Sequence, residues 1–240
     1  MINYKRSFVE ILDNIEDYEN VGLGNPNSNI LFIGKEAAFE IEINDELKGI
    51  KEKLKNLHGS KLKWKSNEFD YSHNPTELRN LSDTWKNYQQ LYNYIFVNKQ
   101  ENKYATFLKE VFTTEMSNLP SKTTDKAKKN PFFKEEMQRR KESFFKTDFI
   151  QSFPVVVLAC SDYINNSQKK REIDNIFGVR YNGEFKDNYS KGNWFYNHYN
   201  EDETKIVIHT RQLSANVNNE LLVDIGKKIR EHLIKLNLYK

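Results

Sequence analysis

A single cysteine, Cys160, in 240 residues excludes an internal disulfide and any zinc or iron–sulfur centre assembled from several thiolates. No cofactor and no metal are expected on that basis. Long apolar runs are also missing, none approaching the roughly 20 residues that span a bilayer. The N-terminus carries no basic segment followed by an apolar one, so the expectation is a cytoplasmic protein without a membrane partner. A nucleophile elbow, a phosphate-binding loop and a dinucleotide fingerprint are absent too, which leaves hydrolases of those types without support.

What is present is a chain with 30% charged and 13% aromatic residues, too rich in Phe and Tyr for disorder and too polar for a membrane. Its length suits one domain with a full core, expected over 1–240 as a monomer. The net charge of +3 is modest, but lysines gather in two regions, Lys51 to Lys65 around Trp64 and Lys122 to Arg140. Such clusters can neutralise phosphates or serve as solvated helix faces.

Ile30 to Ile33 lack polar alternation and stop at Gly34-Lys35-Glu36. That pattern predicts a strand buried on both faces of a parallel sheet, with polar residues at its carboxyl end, where open α/β sheets bind ligands. Helices are expected over about 4–19, from Asn44 or Asp45 to Leu57, from Ser82 through Trp85, Tyr88, Tyr92 and Ile95, from Pro131, and over Val217 to Leu236. Further strands are expected at Phe107 to Thr114, Phe153 to Ala159 and Lys205 to Ile208. Residues 59–81 and 167–203 show no clear period and are expected as long loops or insertions, the second with room for one edge strand. Alternating strand and helix gives the predicted class: α/β, a three-layer α/β/α sandwich on a mainly parallel four-stranded sheet.

In this order, Gly34-Lys35-Glu36-Ala37 and His209-Thr210-Arg211-Gln212-Leu213-Ser214 resemble the first and last signature motifs of the uracil-DNA glycosylase superfamily. Those motifs read Gly-x-(Asp/Asn/Ala)-Pro and His-Pro-Ser-Pro-Leu-Ser. Val111 to Glu115 resembles the superfamily strand ending in Thr-Asn, and Pro154 to Leu158 its Pro-x-Val-Ile-Val strand. The resemblance spans about 28–235. Ala37 departs from the motif's proline, and Thr210-Arg211-Gln212 from Pro-Ser-Pro.

The resemblance implies a DNA glycosylase, a hydrolase that flips a base out of DNA and cleaves its N-glycosidic bond. By position, Glu36 would hold the water and face the cationic sugar, and His209 would donate to the departing base. Gly34, Lys35, Trp85, Glu115 and Ser214 would contact substrate, with Trp85 under the base, and Leu213 would wedge into the duplex or single strand. Glu115 replaces an amide that both donates and accepts. Ionised, it only accepts, so a non-uracil or modified base offering two donors is expected. The altered motifs equally allow a relative that lost the chemistry and binds nucleic acid or nucleotide.

Overall fold

The computed structural model describes residues 3–39, 46–66, 77–97, 103–167, 169–190 and 192–239. Asn44 and Asp45, expected at a helix start, and Asn74-Pro75 lie outside the described residues. The strands are β1 (Leu23–Gly24), β2 (Ile30–Gly34), β3 (Phe112–Glu115), β4 (Val155–Leu158), β5 (Arg180–Lys186), β6 (Phe195–Tyr199) and β7 (Ile206–Thr210). The helices are α1 (Arg6–Asn14), α2 (Leu47–Lys55), α3 (Lys61–Lys65), α4 (Asp83–Ile95), α5 (Thr124–Lys129), α6 (Phe133–Glu142), α7 (Asp148–Gln151), α8 (Glu172–Phe177) and α9 (Asn219–Lys235).

The strands form one mixed sheet in the order β1-β3-β2-β4-β7-β6-β5. The four neighbours β3, β2, β4 and β7 run parallel, and they are the four segments expected from apolar runs. The count of four is corrected to seven, because β1, β6 and β5 add antiparallel partners. Phe107–Lys109, expected as the start of a strand, is a 3-10 turn.

The parallel strands are buried on both faces, as the unbroken apolar runs Ile30 to Ile33 in β2 and Val155 to Leu158 in β4 require, and β3 buries Thr113 and Thr114 beside Phe112. Leu31, Ile33, Val156, Leu158 and Val207 face one cluster with Phe8 and Ile11 of α1 and Phe149 of α7. Ile30, Phe32, Val155, Val157, Ile206 and Ile208 face the other, with Leu91 and Ile95 of α4 and Leu221 and Ile225 of α9. On that second side a Cβ at Gly226 would lie 2.6 Å from the Tyr94 Cβ, so glycine there lets α9 approach α4.

The two loop expectations are corrected in part. Within 59–81, Ser60 caps α3 and residues 61–65 are helical. Within 167–203 lie α8, β5 and β6. The β5 sequence Arg-Tyr-Asn-Gly-Glu-Phe-Lys is almost wholly exposed. An edge strand with little to bury leaves no apolar alternation to read. Among the described residues, no helix is long and apolar enough to cross a membrane.

Candidate functional site

Parallel pairing places Gly34 directly opposite Glu115, although 80 residues separate them in the chain. The pairing continues beyond the strands: Met116 N–H donates to Gly34 O at 2.9 Å, Ser117 N–H to Lys35 O at 2.8 Å, and Ser121 N–H to Ala37 O at 2.9 Å. These bonds fix the turn that carries Glu36 without the proline of the superfamily motif. Gly34 leaves room for the Glu115 carboxyl group as it is placed here. A Cβ there would fall 2.1 Å from Oε2 of Glu115, so the carboxyl group lies over bare backbone.

A cavity of about 170 Å³ opens at these strand ends, lined by Gly34, Lys35, Glu36, Trp85 and Glu115 among others. Five of the residues expected at a substrate site therefore meet. The volume is below the roughly 300–1,000 Å³ of drug-sized sites and suits a single small ring system. Trp85 is held at the start of α4, where the Ser82 hydroxyl accepts from its backbone N–H at 3.4 Å.

The two carboxyl groups are perturbed in the same direction. Burial pushes Glu115 up to about 8, the charge of Glu36 adds to this, and Arg140 opposes it. Burial also raises Glu36, against the effect of Tyr163, Lys35, Thr124 and Lys128 around it. Oε1 of Glu36 accepts from the Thr124 hydroxyl at 3.4 Å, and its Oε2 has no hydrogen-bond partner. Carboxyl groups sharing a desolvated pocket cannot both ionise freely, which divides acid from base.

Below the cavity, Arg140 is fully buried. It donates to Glu115 O at 2.9 Å, to the Thr114 hydroxyl at 2.8 Å and to Asn20 O at 2.8 Å, and pairs with the buried Glu19. Its guanidinium also stacks 3.9 Å from the Phe144 ring centre. The end of β3 is thereby clamped from α6.

Two expected residues lie elsewhere. His209 is 3% exposed and lines a second cavity, outside the first. Its Nε2 lies 2.9 Å from Ser161 O. A carbonyl only accepts, so Nε2 carries the proton and the ring's one neutral-state donor is committed. Burial lowers its pKa to about 4. The role of donor to a base in the first cavity is therefore corrected. Leu213 is corrected as well: it is fully buried in the cluster of α4 and α9, so it is not free to enter a DNA stack. Its carbonyl and that of Ser214 accept from the Asn87 amide, at 3.4 and 2.8 Å, and Ser214 does not line the first cavity.

Part of the first lysine region is tied into the fold. Lys61 and Lys65 pair with Asp17 and Asp13 at 3.1 and 2.9 Å. Trp64 is core, donating to Gly22 O at 2.8 Å. Sequence reading missed Asn20, His58, Thr84 and Gln212, which also line the cavity. Asn20 presents a buried Oδ1 with no partner. Asn20, His58 and Thr84 follow no apolar strand, so no local pattern marked them; Gln212 follows β7 within the last motif, where the resemblance gives it no role. The chain matches no family model, no curated protein and no solved structure.

Proposed function

We propose that the first cavity hydrolyses an N-glycosidic bond, releasing a nucleobase flipped from DNA, in the three-layer α/β/α frame that the superfamily resemblance implies. The observation that supports this reading best is the Glu36 and Glu115 pair over Gly34, beside Trp85, in a space of about 170 Å³. In the reaction, water attacks the anomeric carbon and the bonding pair leaves with the base nitrogen. Glu36 orients the water, accepts its proton and stabilises the cationic sugar. Trp85 offers a face for the base.

Glu115 takes a different role from the one its ionised form suggested. With its carboxyl pushed up to about 8, it is protonated at neutral pH and offers one O–H donor beside one acceptor oxygen. That is the pattern of an amide. In that state the site suits a base edge with a carbonyl next to a ring N–H, whereas the ionised form would suit an edge with two donors.

The test is base release from duplex and single-stranded oligonucleotides carrying uracil, hypoxanthine, xanthine or modified cytosine, with Glu36→Gln alongside. Release by the wild type that the variant loses supports the reading. No release from any substrate overturns it. The commitment of His209 and Leu213 to the fold favours a second reading, a nucleic-acid-binding module without chemistry. It predicts salt-dependent DNA binding that survives Glu36→Gln and weakens when Lys122 to Lys129 are neutralised.

A further inference from the structure

Two hydroxyl side chains to which the hydrolysis proposed above gives no part stand against Glu36, and three segments far apart in the chain bring them there. β2 runs into Lys35-Glu36, the turn after β4 carries Asp162-Tyr163, and α5 carries Thr124 and Lys128, four residues apart on one helix face. Each segment gives one member to an ionic row and one to a row around the Glu36 carboxyl group. In the first row Asp162 pairs with both Lys35, at 3.3 Å, and Lys128. In the second the Thr124 hydroxyl donates to Oε1 of Glu36 at 3.4 Å, and the Tyr163 hydroxyl neighbours the same carboxyl group.

The turn that presents Tyr163 is fixed on several sides. Ser161 takes a left-handed conformation, φ 49°, which residues with a Cβ adopt rarely. Nε2 of His209 donates to the carbonyl of that same residue at 2.9 Å, and Tyr163 N–H closes the turn on Cys160 O at 3.1 Å. The Tyr163 ring meets Phe133 of α6 edge-on, centres 5.2 Å apart, and the ammonium groups of Lys35 and Lys128 lie 4.9 and 5.9 Å from its centre. Cations at that range are attracted to the ring and hold it in place. His209 therefore serves the site from a distance, through the turn it anchors.

Two buried atoms are left without a partner at this junction, Oε2 of Glu36 and the Tyr163 hydroxyl. An ionised carboxylate oxygen accepts and a phenol donates, so each supplies what the other lacks. Burial raises the Glu36 carboxyl, and Tyr163 is the first group to oppose it; burial and Glu36 together raise the phenol. The other titratable groups around Glu36 are Lys35, Lys128 and Asp162, with Glu115 over Gly34 and His58 on the wall of the same cavity. We infer that Tyr163 and Thr124 are positioning residues for Glu36, each donating its hydroxyl to one carboxylate oxygen, so that Glu36 serves as the ionised base while Glu115 keeps its proton. The role as base rests on the hydrolysis reading; the grip of the two hydroxyls does not.

The test follows the ¹³C resonance of the Glu36 carboxyl carbon over pH in the full chain, with the signal identified by its loss in Glu36→Gln. Tyr163→Phe is expected to raise the Glu36 midpoint by about one pH unit, because a donor to the charged form is gone. Thr124→Val is expected to raise it too, and Thr124→Ser, which keeps the hydroxyl, to leave it at the wild-type value. Thr124 is half-buried on α5, so its variants decide the matter if the phenol proves necessary for folding. Where base is released, the acid limb of the pH profile should move up with the midpoint in Tyr163→Phe. A midpoint unchanged or lowered in either Tyr163→Phe or Thr124→Val overturns the inference, as does a Thr124→Ser shift equal to that of Thr124→Val. An acid limb that stays while the midpoint moves overturns it as well. The titration needs no substrate, so a protein that releases no base loses the hydrolysis reading while the two hydroxyl contacts are still judged by the midpoints.

Discussion

The two cavities sit on the same sheet and are built on opposite plans. The first lies at the carboxyl ends of parallel strands, where two carboxyl groups meet in about 170 Å³. The second lies beside the antiparallel strands β5 and β6, where aromatic rings and amides surround about 640 Å³. Parallel register brings charged side chains from distant segments to one edge and desolvates them, so ionisation becomes the controlled quantity. The antiparallel extension turns side chains of one hairpin to a shared face, which supplies surface for stacking. One region concentrates buried carboxyl groups, the other aromatic surface.

The strongest test of that contrast is Glu36→Gln. Under the proposed hydrolysis this change is expected to lower base release by about 10²–10⁴-fold, measured by single-turnover assay. An equal loss from Trp194→Leu would merge the two regions into one site.

Arg140→Ala comes next. It takes from the buried Glu19 one of its two guanidinium partners, Arg139 remaining at 2.7 Å, strips the Thr114 hydroxyl and Asn20 O of a buried donor, and removes the clamp on Glu115. A stability loss of about 3–5 kcal/mol is expected by denaturant titration. Leu213→Ala should cost about 2–5 kcal/mol for a cavity opened in the core, and gel-shift affinity for DNA should not change. A selective loss of DNA affinity at unchanged stability would restore the wedge role.

The smallest effect expected at neutral pH is that of Glu115→Gln, and its signature is the pH profile. The wild-type carboxyl loses its donor as pH rises through about 8, so activity on carbonyl-bearing bases falls on the alkaline side. The amide cannot ionise and keeps that limb flat. Stability follows the same sign. Between the ordinary value near 4.5 and about 8, the folded protein holds a proton that the unfolded chain releases, so wild-type stability declines with pH in that window. Thermal melts should show this slope diminished in Glu115→Gln.

The buried parallel strands and the long amphipathic helices were legible in the sequence because each is recorded locally. Ile30 to Ile33 and Val155 to Leu158 are unbroken apolar runs, and α9 repeats its apolar positions every three or four residues. Gly34, Lys35, Glu36 and Glu115 were legible as polar residues at strand ends. Of β5 and β6 only a single edge strand was expected: Arg180 to Lys186 buries little and carries no apolar period, and β6 buries the polar Asn197 and His198 beside Phe195, which breaks the apolar pattern.

Composition and periodicity by themselves determined an α/β chain with apolar strands followed by polar turns. The tertiary structure alone decided which turns meet and in what state. Register set Glu115 above Gly34 and beside Glu36, and the resulting desolvation raised its carboxyl pKa. Packing drew Leu213 into the core and spent the donor of His209 on Ser161. Protonation, burial and hydrogen-bond commitment are properties of surroundings, and surroundings are contributed by residues far away in the chain.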